Sequence, residues 1–406
     1  MVAEARHGKV LLAAGEYYTG PIVVEGFEGY FEGAGMDETI IHNVSGLDVG
    51  EISFFNEPTA AAPWPVLITF SGGDVKISDM RFQIDDPEPI HWTYGAWDSY
   101  AFYGLVMITG ENINSKVERV AFKGKEVSPG FLGYNVGNPL LITSHLNMPW
   151  GVSGTHGVYS CTFNDLGNTV AVACIGDANV TIGGSALKGN IFENVYYGCE
   201  IDDVSGCNVE ISYNQFINIG FAGIYSKQGY FYNWVYEYPP ETSDLMIKYN
   251  TIETGDFAYG IELYDFSARF AGNKRINAQV LNNNIYQPGN QIGIYTNGLQ
   301  GGMFNSNVLT GSALIGSYIA YGSNGCSIVN NDYENMETDL ADVMLTGSTF
   351  NNLVVCGRYE TEVVDYGTDN ETLCPAMDRG PSINEQDMDT FIKLRRHPVL
   401  PNSKHK

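Results

Sequence analysis

Ile211-Ser212-Tyr213-Asn214-Gln215-Phe216 and Ile247-Lys248-Tyr249-Asn250-Thr251-Ile252 share one pattern: an apolar residue, two of any kind, an asparagine, one of any kind, an apolar residue. Leu187-Lys188-Gly189-Asn190-Ile191-Phe192 repeats it. It returns at Val280 with Asn283 and Ile285, at Met303 with Ser306 and Val308, and at Ile328 with Asn331 and Tyr333. The first positions are spaced 24, 36, 33, 23 and 25 residues apart, so the shorter intervals read as the basal repeat and the longer ones as repeats with insertions. Upstream the frame persists with an apolar residue in place of asparagine, as Ile77/Met80/Phe82, Val117/Val120/Phe122 and Val158/Cys161/Phe163.

A second apolar stretch follows each of these: Gly198-Cys199-Glu200-Ile201, Gly223-Ile224-Tyr225-Ser226, Gly260-Ile261-Glu262-Leu263, Gly293-Ile294-Tyr295-Thr296 and Gly316-Ser317-Tyr318-Ile319. A short strand, a turn, another short strand and a turn cannot bury a core alone. Stacked every 24 residues or so, such units share one apolar column. The recurrent asparagine suits a stacked turn, where its amide bonds the backbone and the asparagines above and below. A propeller blade repeats at ~40–45 residues and fits poorly. The reading is all-β: a single-stranded right-handed parallel β-helix, or solenoid, over residues 1–374.

Composition agrees. The 406 residues are 44% hydrophobic and 17% charged, with 47 Gly, 26 Tyr and 20 Phe, which disfavours long helices and excludes the signature of disorder. Lys plus Arg is 21 against 47 Asp plus Glu, a net charge of −26. That balance argues against nucleic acid and against an anionic membrane surface as partners. No apolar run reaches the ~20 residues that span a bilayer. No charged-then-apolar leader opens at Met1. Seven cysteines without a CxxC read as thiols packed like small hydrophobes, with Cys356 and Cys374 the one pair to test as a disulfide. Ser382-Ile383-Asn384-Glu385 reads as a capping box before a short C-terminal helix through Arg396, within a capping helix and tail over 375–406.

Over about residues 9 to 365 the chain resembles the right-handed parallel β-helix superfamily that contains pectate lyases, polygalacturonases and related polysaccharide-acting proteins. The opening Gly8-Lys9-Val10-Leu11-Leu12-Ala13-Ala14-Gly15-Glu16-Tyr17, with Gly33-Ala34-Gly35-Met36-Asp37-Glu38-Thr39-Ile40-Ile41, is similar to that superfamily's first coils. The resemblance implies a carbohydrate substrate and an extracellular or periplasmic location. It carries no catalytic residue over. Asp202-Asp203 and His156-Gly157 stand in the reverse of the polygalacturonase order, the basic triplet is absent, and no pectate-lyase arginine motif is present. His145 and His156 read as structural.

Alternation in the second strand decides which side chains leave the core. Cys199, Ile201, Ile224, Ser226, Ile261, Leu263, Ile294 and Thr296 point in. Glu200, Tyr225, Glu262, Tyr295 and Tyr318 form one outward row, and Asp202, Lys227, Tyr264 and Asn297 a parallel one, at ~4.8 Å per coil. Three insertions border this face: one after Phe82 with His91, Trp92, Tyr94 and Trp97, one after Lys227 with Trp234 and five other aromatics, and one after Asp265 with Arg269, Lys274 and Arg275. The expectation is a trough with aromatic walls, in which Tyr225, Tyr264, Tyr295, Trp234, Trp92 and Arg269 bind sugar. Tyrosine is also common on exposed β faces for packing alone.

Two chemistries fit. Glycosidic cleavage needs an acid and a second carboxylate. Glu200 and Asp202 share a strand face at roughly 6.5–7 Å between α-carbons, and Glu200 and Glu262 lie two coils apart, on the order of 10 Å. Tyr225 between the glutamates would raise one of them by desolvation. Elimination on a uronate polymer would instead use Lys227 as base, with Arg269, Lys274 or Arg275 neutralising the carboxylate. Neither chemistry demands a cofactor or a metal; Glu200, Asp202 and Asp203 are the residues that could hold Ca2+. A carbohydrate-binding or surface-structural solenoid without catalysis is the third reading. The acidic surface favours a neutral glycan over a polyanion. A homo-oligomer is compatible with the fold and not demanded by it.

Overall fold

The computed structural model describes residues 7–43, 66–84, 90–91, 99–100, 104–110, 112–125, 138–143, 152–174, 177–202, 204–228, 241–265, 276–289, 291–357 and 361–374. Among the described residues strands run from His7 to Leu373, and 28 of them join one continuous parallel sheet wound into a right-handed β-helix. The antiparallel exception is the small pair Ile90–His91 with Ser99–Tyr100. The C-terminal helix expected within 375–406 lies outside the described residues.

Each coil has three strands, not the two that the sequence pattern suggested. The first face stacks Ala178–Gly183, Asn208–Ser212, Ser243–Lys248 and Ile276–Leu281. The long strands Ile191–Asp202 and Gln215–Gln228 bend, so that their first halves form the second face and their second halves the third. The bend falls where the pairing shifts, between Val195 and Tyr197. The next two coils split it, as Thr251–Thr254 with Tyr259–Asp265 and Asn284–Gln287 with Ile292–Asn297, and Val308–Ala320 is continuous again.

The recurrent asparagine turns the corner between the first two faces. Asn190, Asn214, Asn250, Asn283, Asn307 and Asn331 form a buried ladder, each Nδ2 donating to the next Oδ1 at 2.9 to 3.0 Å. Each Oδ1 from Asn214 onward also accepts the backbone N–H of the asparagine one coil before. From Tyr213 onward the residue just before the corner is left-handed even when bulky, with φ of 59° at Tyr213 and 56° at Tyr249. That conformation costs a non-glycine residue roughly 1–2 kcal/mol; two buried amide hydrogen bonds per rung offset it.

The ladder corrects the sequence frame at two places. The coil containing Met303 is shifted by one: Phe304, Asn307 and Leu309 hold the positions expected of Met303, Ser306 and Val308. Phe304 pairs with Val280 and is 1% exposed, whereas Met303 is 45% exposed. Ser306 is the left-handed residue before the corner, with φ 57°. The spacing from Asn283 to Asn307, and from Asn307 to Asn331, is therefore 24 in both cases. At the other end Leu187 is 93% exposed on a turn, and Ile182 takes the inward place, paired with Ile211.

One apolar column fills the coil interior. Phe82, Phe122, Phe163, Phe192 and Phe216 stack on the second face, with ring centres 4.6 to 5.6 Å apart. Burying each phenylalanine stabilises the coil by about 1.5–3 kcal/mol. Cys161, Cys174, Cys199, Cys207 and Cys326 are buried free thiols, as expected of small core residues, and a disulfide joins Cys356 to Cys374.

Candidate functional site on the third face

The third face owes its close packing to glycine. Gly198, Gly223, Gly260, Gly293 and Gly316 lie one above another, and a Cβ on any of them would strike both the carbonyl of the next coil and a core side chain. This pins the strands that follow, so their alternation is carried faithfully from coil to coil. All eight residues expected to point inward are buried. The outward rows are also in the expected register. Glu200 pairs with Tyr225, Tyr225 with Glu262, Glu262 with Tyr295, and Tyr295 with Tyr318. Asp202, Lys227, Tyr264 and Asn297 form the adjacent row.

The two ends of these rows differ. Glu200, Asp202, Tyr225 and Lys227 are half-buried. Glu262 is 1% exposed, and Tyr264, Tyr295, Tyr318 and Asn297 are buried with it. The outside of the face from Tyr259 onward is thus a second apolar cluster rather than an open trough. Tyr259, Tyr264, Tyr295 and Tyr318 pack there against Ile292, Leu314, Ile315 and Met344. Ring contacts run through it from Tyr225 to Tyr264, Tyr264 to Tyr295 and Tyr295 to Tyr318, at 6.1, 5.4 and 5.6 Å.

At the accessible end Glu200 is held in place. Its Oε2 accepts a hydrogen bond from Asn168 Nδ2 at 2.8 Å. Asn168 Oδ1 is buried without a hydrogen-bond partner among the described residues. Tyr197, which the sequence reading did not select, contacts Tyr225 and Phe221 with ring centres 5.1 and 4.9 Å away. Burial first, and then the charges of Tyr225, Tyr196, Glu262 and Glu200, push its hydroxyl well above the usual tyrosine range. One protonated phenol therefore lies within electrostatic reach of both glutamates. A periodic signal for it existed: Tyr197 and Tyr259 each directly precede a glycine of the stacked row.

Trp92, Trp234, Arg269, Lys274, Arg275, His145 and Asp203 lie outside the described residues, so the expected aromatic walls and the acidic trio for Ca2+ have no structural account. Among the described residues no three His, Cys, Asp or Glu side chains are grouped to hold a metal ion. His156 belongs to the interior of the first face, 0% exposed, with Nδ1 2.9 Å from Ser115 Oγ. No helix among the described residues is long and apolar enough to cross a membrane.

No family model matches the chain, and no curated protein matches it. Among solved structures it is similar to the A-module of the Azotobacter vinelandii mannuronan C-5 epimerase AlgE6, at 13% identity and a TM-score of 0.37, over 91% of each chain. It is similar to the tailspike protein of E. coli bacteriophage HK620 in complex with a hexasaccharide, at 13% identity and a TM-score of 0.45, over 90% of this chain and 71% of that one. It is also similar to the catalytic unit of a thermostable GH87 alpha-1,3-glucanase from Streptomyces thermodiastaticus, at 12% identity and a TM-score of 0.34, over 93% of this chain and 65% of that one. At these identities no residue of the neighbours maps onto a residue here. What this chain's own strand pairing establishes is a right-handed parallel β-helix with two glutamates in register on either side of Tyr225.

Proposed function

We propose that this protein hydrolyses a neutral polysaccharide at Glu200 and Glu262, acting outside the cytoplasm. The observation that carries the reading is the row Glu200, Tyr225, Glu262, in which two carboxyls stand two coils apart with unequal burial. Hydrolysis of a glycosidic bond needs one carboxyl that holds its proton and one that is ionised. We assign Glu262, the more buried of the two, as the general acid. Glu200, half-buried and receiving the Asn168 N–H, is the general base. Two coils set the α-carbons on the order of 10 Å apart. Side chains leaning toward one another reach the ~6.5–9.5 Å of inverting enzymes.

In this arrangement Glu262 gives its proton to the leaving oxygen as the bond to the anomeric carbon breaks. A water attacks that carbon from the opposite side and passes its proton to Glu200. Tyr197 and Tyr225 offer ring faces to sugar C–H groups, and the buried Asn168 Oδ1 accepts from a sugar hydroxyl. With Glu262 1% exposed, productive binding requires a local opening over this row, which solvent reaches first at Glu200 and Tyr225. The carboxyls of Glu200, Asp202 and Glu262 gathered on this face support a neutral glycan over a polyanion there.

Elimination is the second reading, supported by Lys227 standing in register between Asp202 and Tyr264. A polysaccharide panel read by both reducing ends and ultraviolet absorbance tests the pair. New reducing ends without absorbance support hydrolysis, absorbance from a new double bond supports elimination, and neither product on any polymer contradicts both.

A further inference from the structure

On the first face, well away from Glu200, the chain spends its scarce cations in an unusual way. Lys9, Tyr30, Lys76 and Lys116 occupy the same outward position on four successive coils. Lys76 is thus directly beside Lys116, a like-charge pairing that costs stability in a sheet, in a chain where acids outnumber bases by 47 to 21. Tyr30 separates Lys9 from Lys76 and lies within cation–π reach of both, 5.8 and 4.7 Å from its ring centre.

The next position in the row is Gly157, and its lack of a side chain is used. A Cβ there would collide with Cε2 of Tyr159 and lie 2.5 Å from both Cζ and Oη. The ring of Tyr159 is therefore folded back over Gly157 and is half-buried. Two ammonium groups stand by it, Lys188 at 5.1 Å and Lys116 at 5.9 Å from the ring centre. The surrounding carboxylates are committed: Glu118 to Lys116 at 2.6 Å and to Arg119 at 3.2 Å, Asp79 to Arg119 at 2.6 Å, and Glu32 to Lys9 at 2.9 Å. Lys76 and Lys188 have no carboxylate in ion-pair reach among the described residues, and both are exposed.

We propose that Tyr159, Lys116 and Lys188 form a non-catalytic binding site for an anionic polysaccharide, extended along the coils by Lys76, Tyr30 and Lys9. The ring takes a sugar face, Lys188 and Lys76 take carboxylate or sulfate oxygens, and Lys116, held beside the ring by Glu118, adds its remaining N–H donors. The lysine row rises at ~4.8 Å per coil, so successive charges on one glycan strand meet successive coils. At physiological salt the screening length is ~8 Å, which limits repulsion from acids elsewhere on the molecule. The site is independent of the third-face reading, and either survives the failure of the other.

Affinity electrophoresis of the whole chain through gels containing carboxymethyl dextran, dextran sulfate or neutral dextran tests it. The expected result is retardation by the charged polymers and none by neutral dextran, whether or not any glycan is cleaved. Lys116→Gln with Lys188→Gln should weaken binding at least tenfold, and so should Lys188→Glu alone on its exposed turn. Retardation by carboxymethyl dextran but not dextran sulfate would assign a carboxylated ligand, and the reverse a sulfated one. Equal mobility in all three gels, unchanged binding by the lysine variants, or equally tight binding of inorganic polyphosphate, which has no sugar face, would overturn the proposal.

Discussion

Glu262 stands two coils above Glu200 in the same outward row, with Tyr225 between them, yet the upper glutamate is 1% exposed and the lower one is half-buried. Register alone makes them neighbours, for they are far apart in sequence. That register depends on features that can be tested one at a time.

The asparagine ladder is the first. Asn250 Nδ2 donates to Ile211 O at 2.9 Å and to Asn283 Oδ1 at 3.0 Å, while its Oδ1 accepts from Asn214 N and Nδ2, both at 3.0 Å. Asn250→Ala leaves these buried groups without partners, at about 1–3 kcal/mol for each group orphaned. The expected outcome is a loss of about 3 kcal/mol or more in urea unfolding. A change under 1 kcal/mol would mean that the ladder follows the fold rather than holding it.

Gly198 is the second. A Cβ there collides with the Gly223 carbonyl oxygen and lies 2.5 Å from the Phe216 ring, neither of which can yield cheaply. Gly198→Ala should destabilise by about 1–3 kcal/mol, the usual range for overpacking. It should also disturb Glu200, two residues along the same strand. Paired thermal melts and glycan-binding measurements check both effects.

Much of this was legible in the sequence, for a physical reason. The corner asparagine and the in–out alternation after each glycine are local, so Asn214, Asn250 and the rows through Glu200 and Lys227 could be placed from pattern alone. The slip at Met303 lies in the choice between two adjacent apolar residues, and the asparagine pattern already favours Phe304-Asn305-Ser306-Asn307-Val308-Leu309, the frame in which Phe304 stacks on Val280. The middle strand was missed because it is continuous with its neighbour: Ile191–Asp202 bends without a turn. The burial of Glu262, Tyr264 and Tyr295 was not legible, because alternation separates core from outside but does not say whether the outside is itself covered. Tyr159 over Gly157 is a side-chain fold-back that no period encodes.

His156 makes stability depend on pH. Burial depresses its imidazole from the ordinary 6.5 to about 4. The unfolded chain therefore takes up a proton at this residue before the folded chain does. Its contribution is full above pH 6.5, falls as the pH drops from 6.5 toward 4, and levels off below that, for a total of about 3 kcal/mol. Unfolding free energies of the wild type and His156→Gln across that window should converge as the pH falls. A difference that stays constant would contradict the assignment.

The most direct test of the central claim is the rate of reducing-end release from the polymer the wild type cleaves, measured for Glu200→Gln and Glu262→Gln. Each substitution keeps the side chain's size and removes its acid–base capacity. The account predicts retained glycan binding with turnover reduced by about 10²–10⁴-fold in both variants, the usual worth of a general acid or base. Turnover within a few-fold of wild type in either one would contradict it.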